Sequence, residues 1–250
     1  MASPRKQRTE RTLGPIVSKL AASVPEVIGL VAVIAGITVL AWSFWPSSSV
    51  AIRVTGHEPL LSASLEGPKA GSGDARVVVV EFSDFECPYC GIFARNTEDS
   101  LFQQYVTTGK VMWVFRHLPL DVHKSALRAA IAASCAEADG KFWPMRKSLF
   151  DNQRDLSDAA LERRAAAIGL SLEGFATCMR QYPVAVQRDL TEALALGISS
   201  TPTFLIGTRD GGSTMRVVRT LSGALPAADF QRALDPLLAG REASAVIKFP

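Results

Sequence analysis

The chain has little net charge and lacks the short motifs by which several enzyme classes are recognised. Its 250 residues include 27 lysines and arginines against 24 aspartates and glutamates, a formal charge of +3 that is spread along the chain. Because a nucleic-acid-binding face needs concentrated positive charge, we expect no nucleic acid partner. The sequence also has no phosphate-binding glycine loop, nucleophile-elbow serine or dinucleotide-binding glycine pattern. ATP-dependent, serine-hydrolase and nicotinamide-dependent chemistry therefore have no support.

Cysteine is scarce as well, but two of the four cysteines, Cys87 and Cys90, are separated by only two residues. A zinc site would need two further cysteine or histidine ligands at suitable spacing. No second C-x-x-C pair exists, and His117 and His123 are scattered rather than paired. The close pair therefore favours redox chemistry, while a metal site and an inert structural staple stay open as alternatives.

An uncharged stretch from Val27 to Trp45 predicts a membrane helix near the N-terminus. At about 1.5 Å per residue, a helix of this length nearly crosses a hydrocarbon core of about 30 Å, so we predict a span over residues 26–45. Basic residues outnumber acidic ones before it, which places residues 1–25 in the cytoplasm. We thus expect a single-pass protein of the cell membrane whose main domain faces the periplasm or the cell surface. A cleaved signal peptide is the alternative, although the apolar run exceeds the usual 7 to 15 residues or so.

The rest of the chain divides into a linker, one domain and a tail. Residues 46–75 are rich in proline, glycine and serine and predict an extracytoplasmic linker. A β-branched run then opens a domain over residues 76–240, and residues 241–250 form a C-terminal tail. Within the domain, periodicity and helix-ending residues predict the order β α β, a helical block, then β β α. The predicted strands are 77–82, 110–120, 201–206 and 215–221, and the predicted helices follow Cys90 up to Gly109, fill 123–196 and close the domain at 226–239.

The position of the cysteine pair, between the first strand and its helix, predicts different roles for the two thiols. Backbone N–H groups at a helix N-terminus stabilise a thiolate, the reactive form of cysteine. Pro88 suits the first helical turn because its missing N–H has no helical partner to lose. We therefore predict that Cys87 is the exposed nucleophile and that Cys90, one turn further along, is the inward-facing resolving thiol.

Three segments in order carry a resemblance to a known family: VVVVEFSDFECPYCGIF, VFRHLPLDVHKSALRAAIAASCAEADGKFWPMRKSLF and GISSTPTFLIG. They resemble the DsbA-like branch of the thioredoxin superfamily, which comprises extracytoplasmic thiol-disulfide oxidoreductases. The resemblance covers about Arg76 to Leu238. It implies an α/β thioredoxin fold interrupted by a helical insertion at about residues 122–197, preceded here by the single transmembrane helix.

The resemblance also implies site residues beyond the cysteine pair. Thr201 and Pro202 match the cis-proline loop beside the active-site disulfide, where a substrate peptide pairs with the backbone like an added strand. Glu81 falls where these proteins carry a buried acid that relays the proton of the resolving thiol. A strand glutamate pointing to solvent is the alternative, but a carboxylate inside an apolar strand costs several kcal/mol unless it is neutralised or hydrogen-bonded, which favours a role in the site.

The remaining cysteines and the residues between the first pair give further expectations. The dipeptide Pro88-Tyr89 tunes redox poise in this superfamily, and without a histidine there we expect an oxidant of intermediate strength. Cys135 and Cys178 lie in two helices of the insertion, and in an oxidising compartment we expect a structural disulfide between them. Two free buried cysteines are the alternative.

These features predict an enzyme that forms disulfides in exported proteins through its CPYC dithiol/disulfide. Its expected partners are exported proteins with free thiols and a quinone-linked membrane protein that reoxidises it. We expect a monomer that needs no cofactor and no metal. The alternatives are a thiol reductase of the same fold, such as one acting on apocytochrome, or a metal-binding assembly chaperone that uses the cysteines as ligands.

Overall fold

The central element of the fold is a seven-residue strand whose residues are all buried, Val77–Ser83. The computed structural model describes residues 61–181 and 183–240. The predicted cytoplasmic segment, transmembrane helix and C-terminal tail therefore lie outside the described residues. Within the described ranges, no helix has the length and apolar character needed to cross a membrane.

The described elements follow the order predicted from the sequence, with bounds that differ by a few residues. After two short leading strands, the order β α β, helical block, β β α is confirmed. The elements are β1 (Ser62–Ser64), β2 (Lys69–Ala70), β3 (Val77–Ser83), α1 (Pro88–Asn96), α2 (Glu98–Leu101), a π-helical turn (Phe102–Val106), β4 (Val111–His117), α3 (Ala126–Ala138), α4 (Phe142–Asp151), α5 (Asp158–Ala167), α6 (Leu172–Cys178), α7 (Val184–Ala195), β5 (Thr203–Thr208), β6 (Thr214–Ser222) and α8 (Ala227–Leu238).

The strands form one mixed sheet in the order β1-β6-β5-β3-β4-β2. Strand β3 lies at its centre, parallel to β4 and antiparallel to β5. The parallel pair needs a crossover, which α1, α2 and the π-helical turn supply. The end of β3, the start of α1 and the start of β5 consequently meet at one edge of the sheet.

The predicted linker is too long, because residues 61–75 belong to the folded domain. Strand β1 pairs with β6 and β2 pairs with β4, both antiparallel. Ala63 and Leu65 are buried in the core, and the backbone N–H of Phe115 donates to the carbonyl of Pro68 at 3.0 Å. Strands of two or three residues are too short for an alternating pattern, and the turn residues around them are typical of a linker. Residues 46–60 of the predicted linker lie outside the described residues.

Helices cover both faces of the sheet, and side chains of β3 alternate between them. Val77 and Val79 pack with α1 and α8 around Phe93 and Phe230. The even-numbered residues of β3 pack on the opposite face, toward α7. By this alternation Glu81 faces the side that carries α1.

The helical insertion lies between β4 and β5 and builds a third apolar cluster against the cysteine segment. Cys135 of α3 and Cys178 at the end of α6 are joined by a disulfide bond, with their Cα atoms 5.8 Å apart. The insertion thereby gains a covalent link across 43 residues of chain. Its helix α4 packs against both α1 and α3.

Candidate active site

Helix α1 begins at Pro88, so Cys87 occupies its N-cap position with extended backbone angles. The N–H of Cys87 donates to the carbonyl of Asp84, and the carbonyl of Cys87 accepts from Gly91, both at 3.2 Å. Proline lacks an N–H and fits the first turn, where that group would have no helical partner. The motif residues themselves therefore start the helix at the reactive cysteine.

The two thiols are more buried than the sequence predicts. Cys90 is fully buried, as expected for an inward-facing residue, but Cys87 is only 4% exposed. The sulfur of Cys87 lies 3.5 Å from the carbonyl oxygen of Thr201, so the loop before β5 covers it. Tyr89, by contrast, is 60% exposed at the surface beside the pair. The prediction that Cys87 is exposed is therefore wrong, because a loop more than a hundred residues further along the chain shields its sulfur.

The environment of Cys87 stabilises its thiolate. The Cys90 thiol, which donates to the Cys87 sulfur, is the largest cause of the lowered pKa, and burial opposes it. With the nearby hydroxyl of Thr201 and the backbone N–H groups of Cys90 and Tyr89, the pKa of Cys87 falls to about 5. The backbone donors are the free N–H groups of a helix N-terminus, which carry a partial positive charge. At neutral pH, Cys87 is therefore a thiolate.

Cys90 has the opposite character. Burial, followed by the neighbouring Cys87 sulfur, raises the pKa of the Cys90 thiol well above its usual value. The Ser83 hydroxyl and the backbone N–H of Asp84 oppose this rise, and that N–H lies 3.4 Å from the Cys90 sulfur. The pair thus combines one thiolate and one protonated thiol, and no disulfide bond joins the two sulfurs in the structure.

The loop that contains Thr201 and Pro202 lies directly against Cys87. The peptide bond between the two residues is cis, and the carbonyl of Pro202 accepts from the N–H of Gly223 at 2.8 Å. This loop enters β5, which is the antiparallel neighbour of β3. The structure therefore brings Thr201, Pro202 and Cys87 together as the resemblance implies, and the pairing of Thr201 with a substrate backbone stays a prediction.

Glu81 is fully buried, so the solvent-facing alternative is wrong. Each of its carboxylate oxygens accepts from Nη2 of Arg146 at 3.0 Å, and Oε2 also accepts from Nε1 of Trp113 at 2.9 Å. Arg146 in turn donates from Nη1 to Glu98 at 2.7 Å. These contacts hold Glu81 in a buried ionic network beneath α1, and its proposed proton relay to Cys90 stays a prediction.

Asp84 is a site residue that the sequence did not reveal. Its side chain accepts from the backbone N–H groups of Glu86 at 2.7 Å, Cys87 at 3.3 Å and Leu120 at 2.9 Å. Nδ1 of His123 lies 2.7 Å from the same carboxylate. One buried carboxylate thus joins the cysteine segment to the loop before α3. A carboxylate three residues before the motif is the only local signal, and it does not reveal its partners more than 30 residues away.

Removing His123 should destabilise the protein in a pH-dependent way. Partial burial lowers the pKa of His123, but the hydrogen bond and charge of Asp84 outweigh it and raise the pKa overall. A raised histidine pKa stabilises the fold fully below the unfolded pKa, and this contribution disappears as the pH rises through the folded pKa. The loss of unfolding free energy in His123→Ala should therefore be greater at pH 5.5 than at pH 8.5 in urea titrations, with exposed Lys124→Ala as the control. An equal loss at both pH values would refute the ion pair.

Gln153, in the loop after α4, contacts the cysteine segment from the other side. Its amide nitrogen donates to the carbonyls of Phe85 at 3.0 Å and Cys87 at 2.8 Å. The side chain crosses Gly91, where an added Cβ would lie 1.8 Å from the amide oxygen of Gln153. Glycine after the motif therefore leaves room for a side chain that positions Cys87.

Gly91→Ala and Gln153→Ala should show strongly non-additive effects on stability. Gln153→Ala removes two hydrogen bonds, each with a net contribution of about 0.5–1.5 kcal/mol. Gly91→Ala should displace the same side chain, so once Gln153 is already alanine the glycine substitution should cost little or even stabilise the helix. Urea unfolding of the two single variants and the double variant measures the coupling. Additive losses would show that Gln153 does not occupy the space above Gly91.

The comparisons with known proteins agree with this geometry. A protein-family model described as thioredoxin matches residues 64–233, so the chain belongs to this thioredoxin family. The crystal structure of alpha-DsbA1 from Wolbachia pipientis is 28% identical with a TM-score of 0.61, covering 69% of this chain and 91% of that one. Oxidised BdbD from Bacillus subtilis has a TM-score of 0.63 over 72% of this chain and 99% of its own, and at 20% identity it supports the fold alone. The predicted thioredoxin-like α/β fold is confirmed, and the protein is a thiol-disulfide oxidoreductase.

Curated relatives match the chain over only part of their own length. The Na(+)/H(+) antiporter NhaA 3 of Salinispora tropica is 39% identical over 142 residues, which are 56% of this chain and 21% of the relative. The Na(+)/H(+) antiporter NhaA 1 of Salinispora arenicola is 37% identical over 162 residues, 63% of this chain and 24% of the relative. The chain thus spans about a fifth to a quarter of these relatives.

Proposed function

We propose that the protein forms disulfides in exported proteins, with Cys87 as the sulfur that exchanges with the client and Cys90 as the resolving sulfur. The observation that carries the proposal is the opposite character of the two thiols. The pKa of Cys87 is about 5, whereas that of its buried neighbour Cys90 is raised. Stabilisation of one thiolate favours the reduced pair and so makes the oxidised pair a stronger oxidant.

The reaction proceeds by two thiol-disulfide exchanges. A client thiolate attacks Cys87 of the oxidised pair, which forms a client–Cys87 disulfide, breaks the Cys87–Cys90 bond and leaves the electron pair on Cys90. A second client thiolate then attacks the client sulfur of this mixed disulfide. The client leaves with a disulfide, Cys87 leaves as its stabilised thiolate, and the enzyme has gained two electrons. In this scheme the backbone at Thr201 pairs with the client peptide beside Cys87.

The compartment and partners form part of the proposal. The Cys135–Cys178 disulfide supports an oxidising location, since such bonds are rare in reducing compartments. We place the catalytic domain outside the cytoplasm, in the periplasm or at the cell surface, anchored by residues 26–45 and acting as a monomer. Its clients are exported proteins with free thiols, and a quinone-linked membrane protein reoxidises Cys87 and Cys90.

The alternatives differ in what they require of the cysteine pair. A reductase of the same fold would need a more reducing pair, which a redox potential can reveal. For the metal-binding chaperone, the described part of the chain contains no group of three or more His, Cys, Asp or Glu side chains that could hold an ion. The structure therefore gives that alternative no support within residues 61–181 and 183–240.

Equilibration of the full chain with glutathione buffers tests the direction of electron flow. The reduced fraction of the peptide that contains Cys87 and Cys90 can be measured by alkylation and mass spectrometry. We expect a potential between about −270 mV and about −120 mV, the values of thioredoxin and of the strongly oxidising DsbA. A potential at or below that of thioredoxin would refute the oxidant role and favour the reductase.

A further inference from the structure

Ser83 and His117 form a buried polar pair below the cysteines. They are register partners at the ends of the parallel strands β3 and β4, so their side chains lie on the same face of the sheet, on strands about 5 Å apart. Ser83 is 1% exposed and His117 is fully buried. Within the described residues, neither Oγ of Ser83 nor Nδ1 of His117 has a hydrogen-bond partner of normal geometry. Because buried polar groups are nearly always satisfied, these two atoms call for an explanation.

Ser83 and His117 have polar neighbours on two sides. On one side, the Ser83 hydroxyl is close enough to Cys90 to oppose the rise of its pKa. On the other side, Nε2 of His117 lies 3.5 Å from Oγ of Ser134 in α3, and Ser134 is 9% exposed. The histidine is thus the register partner of Ser83 on one side and contacts Ser134 on the other.

Apart from these polar contacts, aromatic side chains surround the ring of His117. The ring centroids of Phe115, Phe142 and Phe85 lie 5.3, 5.9 and 6.1 Å from that of His117. Burial lowers the pKa of His117 to about 4, despite the opposing charge of Asp189. The imidazole is therefore neutral at physiological pH, with one nitrogen that donates and one that accepts.

The exchange reaction proposed above needs a proton at this place. When a client thiolate attacks Cys87, the electron pair is left on a buried sulfur that strongly favours its protonated form. The carboxylate of Glu81 is occupied by Arg146 and Trp113. Ser83 and His117 offer a second route by which the proton can reach Cys90.

We propose that Ser83 and His117 relay a proton between Ser134 and Cys90 as the Cys87–Cys90 bond breaks. Ser83 donates its hydroxyl proton to the leaving sulfur and receives the Nδ1 proton of His117. Nε2 of His117 takes a proton from the Ser134 hydroxyl, which solvent replaces. One proton enters and one leaves the ring, so the imidazole stays neutral and Cys90 ends as a thiol. The inference rests on the proposed function; Ser83 would touch the reacting sulfur, and His117 would act through Ser83.

The test is the rate at which oxidised full-length protein reacts with reduced glutathione, followed by rapid acid quenching and mass spectrometry. Ser83→Ala removes only the hydroxyl and should slow the formation of the glutathione–Cys87 adduct about tenfold or more, because general acid catalysis typically contributes at least that much. Ser83→Thr keeps a hydroxyl and should retain most of the rate. In the reduced Ser83→Ala protein, the pH midpoint for alkylation of Cys87 should stay near 5, which a general disturbance of the site would change.

The outcomes separate the relay from the proposed function. A wild-type rate in Ser83→Ala would overturn the relay while leaving the exchange at Cys87 intact. Equal slowing in Ser83→Ala and Ser83→Thr would also overturn it, since packing and not the hydroxyl would then be responsible. Failure of the wild-type protein to form any adduct with glutathione would overturn the proposed function, and the relay with it.

Discussion

Arg146→Met should lower the free energy of unfolding by about 3–5 kcal/mol, the usual cost of removing one partner from a buried ion pair. The side chain of Arg146 is 3% exposed, and its guanidinium contacts the carboxylates of both Glu81 and Glu98. Its charge also lies over the rings of Phe115 and Phe150, at 5.2 and 4.9 Å from their centroids. Methionine fills similar space but leaves the buried carboxylate of Glu81 and the half-buried one of Glu98 without a cation.

The pH dependence of this loss should have a definite sign. Burial raises the pKa of Glu98, and the charge of Arg146 opposes that rise. Without Arg146 the pKa of Glu98 should rise further, so the folded variant takes up a proton more readily than the unfolded chain. An acid whose pKa is raised by folding destabilises the fold as the pH increases. The loss in Arg146→Met should therefore be greater at pH 8 than at pH 5.

The neighbouring residue on the same helix provides a matched control. Lys147 pairs with Asp151 at 2.8 Å, but its side chain is 75% exposed. An exposed pair of this spacing contributes about 0.3–0.5 kcal/mol, so Lys147→Met should change stability little. Adding Glu81→Gln to Arg146→Met should recover part of the loss, because one of the unpaired charges is removed. A loss below about 1 kcal/mol in Arg146→Met would contradict the buried network.

Alkylation of Cys87 in the reduced native protein should be half-maximal at a pH of about 5. The thiolate of Cys87 is favoured by the Cys90 thiol, the nearby Thr201 side chain and the backbone N–H groups at the start of α1. The midpoint rather than the rate is the informative quantity, since nucleophilicity falls as the thiolate becomes more stable. In the denatured chain the same residue should titrate near the usual value of about 8.5.

Mass-spectrometric mapping of the iodoacetamide adduct at each pH gives this midpoint. Cys90→Ala removes the largest stabilising contact and should raise the midpoint for Cys87, whereas Cys90→Ser can still donate a hydrogen bond and should raise it less. A native midpoint above pH 8 would mean that the helix terminus and Cys90 do not stabilise the thiolate.

The sequence predicted the order of the main elements because long helices and buried strands carry strong periodic signals. The run of residues 77–82 and the spacing of Cys87 and Cys90 placed the motif correctly between strand and helix. Strands β1 and β2 were missed because two or three residues cannot show a period. Neither strand has a recognisable hydrophobic pattern in the sequence, although the backbone of each pairs with the sheet.

The site was less predictable where it depends on contacts between distant segments. The shielding of Cys87 comes from Thr201, and the amide of Gln153 reaches Cys87 across 66 residues. The partner of Glu81 is Arg146, which lies 65 residues further along the chain. No local pattern around these residues indicates such pairing, because tertiary packing alone brings them together. The motif was therefore predictable, but the groups that set its chemistry were not.

The central claim is that exchange occurs at Cys87 and that Cys90 only resolves the product. The most direct measurement is to treat reduced Cys90→Ser and Cys87→Ser proteins with oxidised glutathione and to map the adducts by mass spectrometry. Cys90→Ser should accumulate a stable mixed disulfide at Cys87, and Cys87→Ser should form almost none, since Cys90 is fully buried and protonated. Equal labelling of the two variants, or an adduct at Cys90 alone, would contradict the assignment of Cys87 as the exchanging sulfur.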